Sequence, residues 1–318
     1  MSEQTNPVVI LGAYQSGTSV LAGCLRLLGV NLGPSLGAAD GSEEARDYPE
    51  NSSIILIHDI LLRDLNCRWD MIGTLPENWL QSRAAANARE KIENLIEREF
   101  ASSAPWVISD PRLCKFLPLW LDIFSEKGLT PRIVFMVRHP YEVAVSLQNR
   151  HGFDLLKGHL LWLSSNRQAL SRLREYDHAI ITYDRLLADP VSCLETIGRE
   201  LNLSFPIGLA DGYQDLIAYI RPELKHAHNS HADTGEKGKN IFAHYAWLYG
   251  QFRLNETRHL ASPAQTQASD EAVFSAKTAV QNLAVFPLVP KAPKAQKTAV
   301  DTSHAAEMFD NLLGLIRS

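Results

Sequence analysis

The sequence predicts a three-layer α/β/α domain around a central parallel sheet. Three observations carry that expectation. Four short, β-branched apolar runs recur along the first 182 residues, each ending in turn residues. Stretches of helical spacing lie between them, at intervals that suit crossover connections. The first run also passes through a tight glycine turn directly into a helix, the entry to a doubly wound fold.

Pro7–Gly12 (PVVILG) is apolar throughout, as a strand buried on both faces should be. After the segment AYQSGTS, the helical stretch VLAGCLRLLG puts Leu21, Leu25 and Leu28 on one face before Gly29 stops it. Residues 31–50 are rich in Gly, Pro, Asp and Glu and read as a mobile loop. Helical spacing returns over Ser53–Leu65, and Arg83–Phe100 reads as a helix with a polar face. Trp106–Ser109 is the second strand, followed by a turn at Asp-Pro-Arg. Arg132–Val137 is the third, leading through Arg-His-Pro into a helix that runs to about Asn149. His159–Leu170 (HLLWLSSNRQAL) carries a Trp and Leu stripe that reads as core at helical spacing. His178–Thr182 is the fourth strand, with a helix over Val191–Leu201 beyond it. Past about Leu260 the composition turns to Ala, Gln, Thr, Pro and Lys, too poor in apolar residues to order itself. The expected organisation is an α/β domain over residues 1–260, a flexible linker over 261–303 and a C-terminal helix over 304–318. That helix, with Met308, Leu312 and Leu315 in register, would dock on this chain or pair two copies, or be a solvated tail.

Composition narrows the function classes. The 318 residues are 45% hydrophobic and 21% charged, which excludes a disordered or fibrous chain. Against 31 Lys and Arg stand 36 Asp and Glu, a net charge of −5, so no global basic field invites nucleic acid. Four scattered cysteines, without a CxxC pair, form neither a disulfide framework nor a zinc site and suit a reducing cytoplasm. No Lys or Arg precedes the first apolar run, and no apolar stretch is long enough to span a bilayer. The expectation is therefore a soluble, cytoplasmic chain.

Chemistry enters at Gly12-Ala13-Tyr14-Gln15-Ser16-Gly17-Thr18-Ser19. Two glycines five apart, between a strand and a helix, let backbone approach a phosphate whose charge the free N–H groups of a helix start can bind. The bland alternative is a tight strand-to-helix turn. An ATP-type loop needs Lys at position 18, where this chain has Thr. Asp110, ending a strand, would fit a magnesium-binding acid of a small-molecule kinase, but the missing lysine argues against it. A second anion site is suggested by Arg138, at the end of the third strand, and Ser146, eight positions on, two turns into the next helix. Otherwise Arg138 caps a sheet edge.

These two motifs, in this order and about 120 residues apart, resemble the sulfotransferase family. GAYQSGTSVL is similar to its 5′-phosphosulfate loop, commonly R-S-G-T-S in bacterial members, and RHPYEVAVS to its 3′-phosphate site. The segments DYPEN, RWD, DPRLCKFLPLW, SLQNRHGF and TYDRLLADP are also similar, so the resemblance covers roughly Pro7–Phe205. It implies a P-loop-like α/β fold that binds 3′-phosphoadenosine 5′-phosphosulfate (PAPS) without a metal. The sulfuryl group would pass to a hydroxyl or amine acceptor, a carbohydrate or small metabolite. The 5′-phosphosulfate would lie on Ala13, Tyr14, Gln15, Ser16, Gly17, Thr18 and Ser19, and the 3′-phosphate on Arg138 and Ser146. Tyr183 would sit near the adenine or the sulfate.

The resemblance nominates Glu50 as catalytic base; Asp47, Glu43 and Glu44 are its loop neighbours, and a helix-start charge is the alternative. It also marks two departures. The family's usual first-loop cation is replaced by Gln15, and a second, before Asp-Pro, by Ser109. Gln15 can still donate a hydrogen bond, but it supplies no charge to the transition state. Arg112 and Lys115 would compensate if turned inward, although Arg112 reads first as a partner of Asp110. A degenerate protein that binds PAP, PAPS or a protein partner without turnover is the alternative function. His226, His228 and His231 read as an exposed loop rather than a metal site, and Lys237 is faintly like a basic loop that closes over the 3′-phosphate.

Overall fold

The computed structural model describes residues 6–37, 50–101, 105–173 and 175–220. The expected linker and C-terminal helix, the three histidines, Lys237, Asp47, Glu43 and Glu44 lie outside the described residues.

The four expected strands form one sheet. β1 (Val8–Leu11) is followed by α1 (Thr18–Leu27), by the short β2 (Leu36–Gly37) and β3 (Glu50–Asn51), and by α2 (Ser52–Asp64) and α3 (Arg83–Glu99). Then come β4 (Val107–Ser109), α4 (Leu113–Glu126), β5 (Arg132–Val137), α5 (Pro140–His151) and α6 (Leu155–Leu173). β6 (His178–Thr182), α7 (Tyr183–Ala188), α8 (Pro190–Glu200) and α9 (Tyr213–Tyr219) complete the order. The sheet runs β4-β1-β5-β6, all parallel, with Val9 opposite Ile108 and Ile133, and Phe135 opposite Ile180.

Burial on both faces explains why the strands read as continuous apolar runs rather than alternating ones. Val8, Ile10, Val107, Val134, Met136, Ala179 and Ile181 share a core cluster with α1, α8 and Leu216 of α9. Helices α2 to α6 pack against one another in a second group. Local chemistry fixes the helix ends. Asn51 caps α2, its Oδ1 accepting from the N–H groups of Ser53 and Ile54 at 3.0 and 3.1 Å. Ser82 and Asp189 do the same for α3 and α8, and Pro140 sits in the first turn of α5.

Two expectations change. The stretch 31–50 is not loop throughout, because its described ends pair as the antiparallel ribbon β2-β3, Leu36 opposite Asn51. The Asp-Pro-Arg turn opens directly into α4, a helix not anticipated. Ten of its fourteen residues are buried, its exposed Asp122, Ser125 and Glu126 come only in the last turns, and Pro118 interrupts its pattern.

Parallel strands bring all their carboxyl ends to one edge. The glycine turn after β1, Asp110 after β4, Arg138 after β5 and Tyr183 after β6 therefore share that edge. The chain leaves β1 for β4 on one side and returns to β5 on the other, making the edge beside β1 a topological switch point, the usual ligand position in open α/β sheets. Among the described residues no helix is long and apolar enough to cross a membrane.

Candidate functional site

The glycine turn is built so that only glycine fits at its two ends. Ser16 N donates to Ala13 O at 3.1 Å, while Gln15 and Gly17 hold φ of 64° and 88°. A Cβ on Gly17 would lie 2.3 Å from Cδ2 of Tyr183, and one on Gly12 would lie 2.7 Å from the carbonyl oxygen of Met136. The turn delivers Thr18 to the start of α1, whose first turn carries no capping side chain and no acidic residue. Its N–H groups therefore remain for an anion. Tyr14 Oη and Ser16 Oγ are buried at the same turn without hydrogen-bond partners. Burial pushes the Tyr14 phenol well above its ordinary range, against the opposing Arg112 charge.

The second pair converges on the first loop. Arg138 Nη1 donates to the backbone oxygen of Gln15 at 3.1 Å, and Ser146 Oγ donates to Gln15 Oε1 at 3.0 Å. The guanidinium is held on two further sides. Its Nε donates to Glu142 Oε2 at 3.0 Å, and its centre lies 4.5 Å from the Tyr183 ring centroid. Its own backbone oxygen accepts from Trp162 Nε1 at 3.0 Å. Every expected cofactor residue among Ala13–Ser19, Arg138, Ser146 and Tyr183 thus belongs to one contiguous constellation, with Tyr183 beneath Arg138 and against Gly17. Glu142 was not anticipated. Its signal in the sequence is a carboxylate four positions after Arg138.

Glu50 reaches the same turn from β3. Its Oε1 accepts from Ser19 Oγ at 2.5 Å. Burial raises its carboxyl above the ordinary range, opposed by the Ser19 hydrogen bond and by the charges of Arg112 and Arg150, and reinforced by Asp110. It precedes the residue that caps α2, so the cap itself is Asn51 rather than Glu50.

The cations beside this site are committed elsewhere. Arg112 Nη2 lies 2.7 Å from Asp59 Oδ1, and its Nη1 lies 3.2 Å from Asp110 Oδ1, so it holds the Asp-Pro-Arg corner as expected. Its guanidinium still lies 5.8 Å from the Tyr14 ring centroid. Lys115 does not turn toward the site. Its Nζ donates to the carbonyls of Met71 and Gly73 at 2.9 and 3.3 Å. Ser109 is buried at the end of β4, with its Oγ unpartnered.

Asp110 is engaged as well. His58 Nδ1 lies 2.9 Å from Asp110 Oδ2, and Trp120 Nε1 donates to His58 Nε2 at 2.9 Å, which leaves the Nδ1 proton for the carboxylate. Burial pushes the Asp110 carboxyl up, and His58 and Arg112 together outweigh it and hold it low. A carboxylate so occupied is a structural anchor, which removes the support for a magnesium-binding acid.

An aromatic cluster next to the turn joins segments distant in sequence. Trp69 lies 4.5 Å from Tyr14, 4.9 Å from His151 and 5.7 Å from Phe153, centroid to centroid. Lys157 Nζ caps Phe153 at 3.7 Å and pairs with Asp70 at 2.6 Å. The cluster brings together the RWD and SLQNRHGF segments, whose contact no local pattern in the sequence could reveal.

The constellation fits a ligand with two anionic groups. It offers an uncapped helix start, two orphaned hydroxyls and a glycine cradle on one side, and a positioned guanidinium and hydroxyl on the other. Among the described residues no cluster of His, Cys, Asp and Glu could hold a metal ion.

No protein-family model matches the sequence, and no curated protein matches it. Solved structures similar to it include three sulfotransferases or sulfotransferase domains. The sulfotransferase domain of the Synechococcus PCC 7002 olefin synthase is 19% identical, with a TM-score of 0.41, over 77% of this chain and 96% of that one. The sulfotransferase domain of the curacin biosynthetic pathway is 16% identical, with a TM-score of 0.34, over 73% and 81%. Sulfotransferase STF9 from Mycobacterium avium is 15% identical, with a TM-score of 0.40, over 76% of each chain.

Proposed function

We propose that this chain is a sulfotransferase that takes PAPS as its donor and passes the sulfuryl group to a hydroxyl or amine, on a carbohydrate or small metabolite. The observation that carries the reading is the convergence on Gln15. Arg138 and Ser146, the pair expected at a 3′-phosphate, both bond to the loop expected at a 5′-phosphosulfate. Two anion sites in contact at one sheet edge suit a nucleotide phosphorylated at both its 3′ and 5′ ends. Bound there, PAPS would supply an activated sulfuryl group and leave as PAP.

The chain's own residues would do the following. The start of α1, with Ser16, Thr18 and Ser19, holds the 5′ group through N–H and O–H donors. Arg138 and Ser146 hold the 3′-phosphate. Glu50, with its carboxyl raised by burial, takes the acceptor's proton. Its bond to Ser19 fixes it against the loop that carries the reacting group.

A second reading is favoured by a specific observation: Gln15 and Ser109 are neutral, and Arg112 and Lys115 are tied to other partners. On that reading the fold binds PAP or PAPS without turnover. Calorimetric titration with PAP, beside ATP with magnesium and an Arg138→Ala control, tests the site. Binding of PAP that vanishes in the control supports it; no PAP binding at millimolar ligand overturns it. Sulfuryl transfer from PAPS to a panel of sugars and phenols then separates the two readings.

A further inference from the structure

We propose that Glu142 is the counter-ion that positions Arg138 and limits how tightly the second anion site holds a phosphate, so that a nucleotide bound there can leave. This inference rests on the proposed sulfotransferase reading for the identity of the nucleotide, but not for the presence of an anion.

Three features of the site lead to it. Glu142 Oε2 accepts from Arg138 Nε at 3.0 Å, and the two side chains are only 12% and 8% exposed, so water screens the pair weakly. Arg138 has no freedom to turn away from its carboxylate, since Tyr183 covers one face and the Gln15 backbone holds Nη1. Glu142 also lies in the first turn of α5, whose cap residue, His139, provides no side-chain cap hydrogen bond. Its charge therefore offsets both the guanidinium and the positive end of the helix that carries Ser146.

An arriving phosphate meets an oriented donor set of nearly zero net charge. The donors give geometry and selectivity, while the carboxylate a few ångströms behind them repels the bound anion. Without Glu142 the same donors would present a full positive charge in a poorly screened pocket and would retain the product. For a transferase that must exchange PAP for PAPS at every turnover, a moderated affinity keeps product release from limiting the rate.

The test separates charge from position. Glu142→Gln keeps an oxygen that can accept from Nε but removes the charge, whereas Glu142→Ala removes both. Full-length protein and the two variants are titrated by calorimetry with PAP and, separately, with inorganic phosphate. Glu142→Gln is expected to bind both probes about tenfold more tightly or better. Glu142→Ala should fall short of Glu142→Gln, because Nε loses its acceptor while Tyr183 and Gln15 still hold the rest of the guanidinium. A purely structural glutamate would give the opposite result, with both variants binding equally to wild type or more weakly, and that outcome overturns the proposal.

Thermal melts of both variants report whether a loss of binding is a loss of fold. If the glutamine variant melts early, Glu142→Ala binding more tightly than wild type still reports the lost charge, because losing the Nε acceptor can only weaken binding. PAP binding that is the same in wild type and Glu142→Gln would overturn this inference and leave the sulfotransferase reading intact. Failure of PAP to bind any of the proteins, with phosphate still tightening in Glu142→Gln, would do the reverse.

Discussion

Ser146 donates to the side-chain oxygen of Gln15 at 3.0 Å, across 131 residues of sequence. With the bond from Arg138 to the Gln15 backbone, it ties the two expected anion sites together before any ligand arrives. A 3′-phosphate taking Ser146 as a donor must displace the Gln15 side chain, which is then free to turn its amide toward the other anion. The two sites are thus coupled through one residue. A double-mutant cycle on Gln15→Ala and Ser146→Ala is expected to show non-additive stability of about 0.5–1.5 kcal/mol by urea unfolding. Ser146→Ala should also weaken PAP binding by about tenfold. Full additivity would mean that the hydrogen bond joins nothing.

The neutral residues at positions 15 and 109 make a prediction about rate. Arginine at 15 would extend from a loop already facing Arg138 and Ser146, and lysine at 109 would place an amine at the end of β4, where a lone hydroxyl is now buried. Gln15→Arg combined with Ser109→Lys is expected to raise sulfuryl transfer by about 10²-fold or more, the usual value of one transition-state donor. An unchanged rate would show that existing groups already neutralise the leaving phosphate.

The turn should not tolerate a methyl group. Gly17 combines a φ of 88° with a ring carbon of Tyr183 only 2.3 Å from where a Cβ would lie. Gly17→Ala is expected to destabilise the protein by at least ~2 kcal/mol and to remove PAP binding. Adding Tyr183→Ala should recover part of the stability, because it relieves the clash but not the backbone strain. Binding should stay lost, since Tyr183 also supports Arg138.

How much of this was legible in the sequence depends on how local each signal is. Arg132–Val137 and His178–Thr182 are strands with the expected bounds, because burial on both faces leaves an uninterrupted apolar run between turn residues. Gly12 and Gly17 could be named because a tight strand-to-helix turn constrains residue type at fixed spacing, whereas Arg138 and Ser146 were named through the resemblance of their segment to the sulfotransferase 3′-phosphate site. α4 escaped because its first turns are buried all round, its exposed residues come only near its end, and Pro118 lies inside it. The β2-β3 ribbon escaped because two residues per strand leave no alternation to read. Long-range pairings were invisible for another reason. Nothing in the strings around His58, Asp110 and Trp120, or around Trp69 and Phe153, encodes that they meet.

Glu50 gives the last prediction, in which stability and catalysis move in opposite directions with pH. Burial raises its carboxyl in the folded protein, whereas in the unfolded chain it titrates in the ordinary range. Between those two values the folded state binds the extra proton, so stability falls as pH rises through the folded value. Above it the ionised, desolvated carboxylate is a standing cost. Glu50→Gln, which can still accept from Ser19, should remove that cost, and its melting temperature at neutral pH should exceed that of wild type. The difference should shrink toward zero below the ordinary carboxylate range. Asp110, held low by His58 and Arg112, contributes stability that is lost as pH falls, but it does so in both proteins and cancels from the difference. A general base must be ionised to work, so transfer by wild type should rise with pH over the same interval in which its stability falls. Glu50→Gln should lower kcat by about 10²–10⁴-fold and flatten that limb. If the variant is stabilised but keeps its rate, Glu50 serves only to hold Ser19, and the acceptor's proton leaves by another route.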